Sequence, residues 1–155
     1  MFRALSCLLL LAVLSPAVAE DFVLRNASYD PTREFYVDYN RMFAAGWRQN
    51  GGGDVEVLQT HGGSGAQADA VIAGEPADFV TLALSADVDR IASAGLLDAD
   101  WRRQMPHGSV PYTSTIVFLV RKGNPKHIAD WSNLIGDVGV VTADPKTSGV
   151  ARWSY

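Results

Sequence analysis

Thr60-His61-Gly62-Gly63-Ser64-Gly65-Ala66-Gln67 joins two runs of different character. Val55 to Leu58, just before it, reads as a strand, and Gln67 to Ala73, just after it, reads as a helix. A glycine-rich turn that leaves a strand and opens a helix turns backbone N–H groups outward. The first N–H groups of a helix have no intrahelical acceptor, and the helix dipole adds partial positive charge there. Such an end holds an anion without a charged side chain. Ser64 adds a hydroxyl, as an N-cap or as a donor to a ligand, and Gly63 and Gly65 support the turn.

The same arrangement recurs on either side. Phe22-Val23-Leu24 reads as a first strand, and Asp30-Pro31 after it marks a helix start, with Asp30 as N-cap and Pro31 at the first helical position. Phe35, Tyr39, Met42, Phe43 and Trp47 follow at helical spacing, which predicts one buried face, and Asn50-Gly51-Gly52-Gly53 ends the helix. The helix after Ser64 carries Ala68, Val71 and Ile72 and stops at Gly74. Asp78 to Leu84 reads as a third strand, and Ser85 as the N-cap of a helix that ends near Gly95. Strands alternating with helices at these lengths predict a doubly wound α/β unit with a parallel sheet. Ligands bind such sheets beyond the carboxyl ends of the strands, where both the Asp30 and Ser64 turns lie.

Trp101 to Pro111 is a polar, irregular connection. Thr113 to Val120 is β-branched and reads as a long strand; Asp130 to Ile135 reads as a short helix and Val138 to Thr142 as another strand. Asp144-Pro145-Lys146-Thr147-Ser148-Gly149 then repeats the strand-to-turn theme ahead of a helix opening at Ala151-Arg152-Trp153. That helix has no cap and no following strand before Tyr155, so the chain reads as the N-terminal part of a longer protein. Exposed sheet edges and poor solubility are expected of it alone.

Residues 1–19 have the pattern of a secretory signal peptide: one basic residue, an apolar run from Ala4 to Val13, and Ala17-Val18-Ala19 as the cleavage site. Export to the periplasm is expected. Cys7, the single cysteine, leaves with it, which removes disulfides, thiolate metal sites and a cysteine nucleophile from the mature protein. Of the 13 basic and 17 acidic residues only Arg3 lies in the leader, so the mature charge is −5. This argues against a nucleic-acid surface, and an anion site here has to work through local dipoles. The three histidines are far apart in sequence, and no metal or other cofactor is expected.

Asn26 to Glu34, Thr60 to Gly65, Asp78 to Leu84, Pro111 to Pro125 and Pro145 to Gly149, with Ala151-Arg152-Trp153, together resemble the periplasmic sulfate-binding proteins, the soluble receptors of bacterial sulfate ABC transporters. The resemblance implies a type II periplasmic-binding-protein-like fold of two doubly wound α/β lobes closing over the ligand. This chain would hold most of the first lobe's N-terminal segment (20–111), a crossing strand (112–120) and the start of the second lobe (121–155). It further implies that the Asp30 N–H, the Ser64 N–H and hydroxyl, the Ser148 hydroxyl, and the Gly149 and Val150 N–H groups hold sulfate. Other donors, a tryptophan among them, would lie beyond Tyr155. The partner would be the membrane permease, and the protein would not be an enzyme. Where the family commonly has Ser-Gly-Gly, this chain has Ser148-Gly149-Val150, whose β-branched side chain restricts the backbone and crowds that contact.

Sulfate carries no proton at neutral pH, so a pocket of donors satisfies it. Hydrogen phosphate brings an O–H that needs an acceptor, and an unmade buried hydrogen bond costs about 1–3 kcal/mol. The Asp30 carboxylate would repel an anion, so its side chain is expected to cap its own helix. Arg33, Lys146 and Arg152 near the turns read as solvated or outer charges, and His61 as a hydrogen-bonded loop histidine. Thiosulfate or molybdate would suit a similar pocket. A rival reading takes Gly62-Gly63-Ser64-Gly65-Ala66 as the nucleophile elbow of an α/β-hydrolase-type esterase using Ser64. One short turn would then have to supply both elbow and oxyanion loop, and neither His107 nor His127 falls at a strand end.

Overall fold

The structure, a computed structural model, describes residues 21–154. The leader expected over residues 1–19 lies outside the described residues. Three strands, β1 (Phe22–Tyr29), β2 (Val55–Gly62) and β3 (Phe79–Thr81), form a parallel sheet in the order β2-β1-β3. β1 is central: Phe22 pairs with Val55 through to Tyr29 with Gly62, and Asn26, Ala27 and Ser28 pair with Phe79, Val80 and Thr81. Helices α1 (Arg33–Gln49), α2 (Ser64–Ile72) and α3 (Ser85–Ser93) connect and follow them. Because the strands are parallel, the turns after β1, β2 and β3 all leave from one edge of the sheet, the edge expected to hold a ligand. The α/β architecture with a parallel sheet is the one expected from the sequence.

A small core sits between the sheet and α2–α3. Ala27, Ala68, Val71 and Ile91 are buried there, with Ala77, Val80 and Leu82 packed around them. Small residues bring α2 close to β1, which sets the position of the turn before it. Gly74 and Gly95, with φ of +105° and +78°, stop α2 and α3 in a backbone region that suits glycine.

The buried face expected on α1 is a correction: Phe35, Tyr39, Met42 and Trp47 are exposed, Met42 to 72%, and Tyr36 is the buried residue of the helix. The aromatics pack on one another instead, Phe22 edge-on to Trp47 at 5.6 Å and Phe35 stacked on Tyr39 at 5.6 Å. A groove of about 200 Å³ runs between α1 and the sheet, lined by Leu24, Tyr39, Phe43, Val57 and Phe79. Periodicity marks a face that favours burial; burial itself needs a second layer, and the described residues supply none there.

The expected strands over Thr113 to Val120 and Val138 to Thr142 form no ladder among the described residues. Leu119 and Val141 stand fully open, at 100% and 99% exposure. β-branched residues favour extended backbone, but a strand exists only with a partner for its N–H and C=O groups. The short helix expected after Asp130 is a 3-10 turn, Trp131–Leu134. Asp130 caps it, accepting from Trp131 N–H at 2.6 Å, while the Asn133 side chain accepts from Asp130 N–H at 2.9 Å. The connection after Asp100 is less irregular than expected: Trp101 is buried and donates to Asp89 at 3.0 Å, and Arg102 holds the same carboxylate with two bonds of 2.7 Å.

Candidate functional site

Three helix starts meet at the carboxyl edge of the sheet. After β1 the chain makes a 3-10 turn, Asp30–Thr32, before α1 begins. Asp30 is not the N-cap that its residue type suggests. Tyr29 holds the extended cap position, and the Asp30 carboxylate instead pairs with Arg33 at 2.7 Å. The cap is displaced in the same way at the other starts: Gly63 (φ −60°, ψ 139°) precedes α2, and Leu84 (φ −122°, ψ 132°) precedes α3, so Ser64 and Ser85 are already helical. A residue caps only while its backbone is still extended, and here the extension ends one residue earlier.

This frees Ser64 for another task. Its hydroxyl donates to the Asp87 carboxylate at 2.6 Å and accepts from the Ala83 N–H at 3.1 Å. Ser64 and Asp87 are both fully buried. The hydroxyl that was expected to serve a cap or a ligand therefore serves the protein. Asp87 also receives Arg152 of the terminal helix (Gly149–Trp153), and Arg90 stands 3.6 Å from its other oxygen. Two guanidinium groups thus balance the buried carboxylate behind the turn. Arg33, still half exposed, pairs with Asp30, and Arg152, largely covered, pairs with Asp87, so both act from outside the turns.

The third turn packs directly on the second. Gly65 N–H donates to the Thr147 carbonyl at 3.2 Å. A Cβ built on Gly149 would lie 2.7 Å from Ala83 Cβ and 3.2 Å from Ser64 Cβ, so the two turns are in van der Waals contact. Ser148 caps its helix: its Oγ accepts from Ala151 N–H at 3.4 Å, which leaves the hydroxyl proton free to donate elsewhere. Ser64 and Gly149 each open a helix, and among the described residues neither N–H has an acceptor. The first turn joins them through Tyr29. Burial lifts its hydroxyl above the ordinary phenol range, the neighbouring Val150 N–H opposes that, and Asp30 adds to it. The structure therefore brings Ser64, Ser148, Gly149 and Val150 together beside Tyr29-Asp30.

Under this edge lies a polar layer that sequence reasoning missed. Asn26 and Ser28 on β1 are buried; Thr81 donates to Asn26 at 3.1 Å, and Ser28 shares a 2.9 Å hydrogen bond with Thr32. Among the described residues Asn26 Nδ2 and His61 Nδ1 have no hydrogen-bond partner. Burial and then Arg33 hold the His61 imidazole below its ordinary range, against the pull of Asp30 and Glu34. The only advance signal was polar residues recurring at every second position, Asn26-Ala27-Ser28, inside a strand. Among the described residues no group of three His, Cys, Asp or Glu is placed to hold a metal ion.

The family model for bacterial extracellular solute-binding proteins matches residues 27–155. The sulfate-binding protein of Salmonella typhimurium (strain LT2) is 57% identical over 147 residues, covering 94% of this chain and 45% of the relative. A thiosulfate-binding protein of Pseudomonas aeruginosa is 46% identical over 134 residues, covering 85% of this chain and 40% of the relative. The structure of the sulfate-binding protein SubI from Mycobacterium tuberculosis H37Rv superposes with a TM-score of 0.73 at 32% identity, covering 84% of this chain and 45% of that one. The chain thus spans about half the length of the relatives it matches, and it shares their periplasmic-binding-protein-like α/β fold. It belongs to the family of bacterial extracellular solute-binding proteins.

Proposed function

We propose that this chain supplies one side of an interlobe site that captures sulfate outside the cytoplasm and passes it to an ABC permease for import. The observation that carries the reading is the contact between the Ser64 and Thr147–Gly149 turns, which puts side by side two helix starts whose first N–H groups have no acceptor among the described residues. The names of the relatives support sulfate first and thiosulfate second. The donors are the N–H groups of Asp30, Ser64, Gly149 and Val150 and the hydroxyl of Ser148. Ser64 contributes through its N–H, since its hydroxyl is engaged by Asp87. Residues 20–111 are assigned to the first lobe, 112–120 to the crossing strand and 121–155 to the start of the second. The leader over residues 1–19 directs the protein to the periplasm.

Sulfate binding here rests on charge-assisted hydrogen bonds, each about twice as strong as a neutral one, inside a site that shuts out water. The nearest carboxylates are spent on cations, Asp30 on Arg33 and Asp87 on Arg152 and Arg90, so neither is left as a free negative charge facing the anion. The esterase alternative is disfavoured by the same geometry. A nucleophilic serine needs a general base and an open approach, whereas the Ser64 hydroxyl is fully buried and donates to a carboxylate already held by arginine.

Isothermal titration with sulfate, thiosulfate and phosphate tests the proposal on the 155-residue chain and on a form extended to the length of its relatives. Tight sulfate binding by the extended form, with phosphate weaker by tenfold or more, is expected. Equal affinities for sulfate and phosphate would sink the donor-only pocket. Binding of neither sulfate nor thiosulfate would sink the receptor reading.

A further inference from the structure

Two successive N–H groups at the start of α2 have different fates. The Ser64 N–H has no acceptor among the described residues, while the Gly65 N–H is taken by the Thr147 carbonyl at 3.2 Å. Thr147 is the residue before Ser148, so this one bond fixes where the Ser148 hydroxyl and the Gly149 N–H stand relative to Ser64. The glycines around it are there for contact. Gly63 has φ −60° and ψ 139°, a backbone any residue adopts, yet a Cβ on it would overlap the Thr147 carbonyl oxygen. A Cβ on Gly65 would sit 3.0 Å from the Lys146 carbonyl oxygen. Gly46, by contrast, has nothing within 4 Å of such an atom.

We infer that the Gly63–Thr147 contact and the Gly65–Thr147 hydrogen bond together set the size limit of the anion site. The inference rests on the oxyanion-receptor reading above. Backbone atoms, in place of side chains that can rotate, define the gap between the two helix starts. A small tetrahedral oxyanion fits a gap that is closed at its back by a carbonyl on an amide. A larger one, with longer bonds from its central atom, has to part the turns and break the Gly65–Thr147 bond. Gly63 is thus a positioning residue for specificity, acting through Thr147 on Ser148 and Gly149.

The test is titration of the extended form with sulfate and with molybdate, for the parent and for Gly63→Ala, Gly65→Ala and Gly46→Ala, with thermal melting of each. The parent is expected to favour sulfate. Gly63→Ala is expected to weaken sulfate about tenfold, the scale of one lost charge-assisted hydrogen bond. It should weaken molybdate less, so the ratio between the anions narrows, and the melting temperature should fall because the new Cβ has to push the Thr147 carbonyl aside. Gly65→Ala, whose contact is looser, should move both quantities the same way by less; it carries the test if Gly63→Ala does not fold. Gly46→Ala should match the parent. Parent-like sulfate affinity and ratio in the first two variants, or equal losses for both anions, overturns the inference alone. A parent that binds neither anion overturns the receptor reading and this inference with it.

Discussion

The Ser64 hydroxyl lies 2.6 Å from the Asp87 carboxylate, and neither residue is exposed to solvent. A serine in a glycine-rich turn at the ligand edge is thereby bound into the scaffold, and its backbone is left for the ligand. The distinction is measurable. Ser64→Ala removes the donor to Asp87 and the acceptor of the Ala83 N–H, and leaves the Ser64 N–H in place. Stability should fall by about 1–3 kcal/mol, the cost of buried groups left unsatisfied. Sulfate affinity should change much less. Urea unfolding beside isothermal titration checks this, and a large loss of affinity at unchanged stability would return the hydroxyl to the ligand.

Asp87 binds Arg152 across 65 positions of sequence. A buried carboxylate that loses its cation is costlier than a buried amide. Arg152→Met should therefore destabilise more than Asp87→Asn, toward the roughly 3–5 kcal/mol measured when one partner of a buried pair is removed. Arg152 is partly exposed, at 27%, and Arg90 remains nearby, so the loss should fall at or below the lower end. The double variant should recover part of it. Additive losses in the double-mutant cycle would mean that the two side chains do not interact.

The His61 imidazole is held below its ordinary range by burial and by Arg33. Its contribution to stability is therefore complete above the unfolded pKa, near 6.5, and is lost as pH falls, because the unfolded chain takes up the proton first. Stability should decline from pH 7.5 toward pH 5.5, and His61→Gln should flatten that part of the curve. Denaturant midpoints at several pH values measure it; an identical slope in the variant would assign the decline to other groups.

Much of this was legible in the sequence because it is local. Alternating strands and helices, the glycines ending α2 and α3, and the three turns are written in short stretches, and parallel pairing follows from the lengths between them. What the sequence did not reveal depends on distant partners. Nothing local in Asp87 signals that Ser64 and Arg152 converge on it from 23 residues before and 65 residues after. Nothing local in Leu119 or Met42 says whether another layer will cover it. The caps fell one residue early for a related reason: residue type marks a helix start, while the exact cap is set by where the strand lets go of its neighbour.

Val150 separates the backbone from the side chain at the third turn. It is the second residue of the terminal helix, where a proline is tolerated because that N–H has no intrahelical acceptor. Gly149 before it is helical and has no Cβ to meet the proline ring, which lessens the restriction that proline places on its neighbour. Val150→Pro therefore deletes one donor while keeping the helix start. If Val150 N–H holds the anion, sulfate affinity of the extended form should drop by about 1.5–3 kcal/mol, the range for a hydrogen bond to a charged group. Val150→Gly keeps the N–H and removes the β-branched crowding, so it should bind at least as tightly as the parent. The pair of variants isolates the donor: a proline variant that binds like the parent would show that Tyr29, whose hydroxyl lies beside this N–H, keeps it from the ligand. The donor set on this side would then end at Gly149.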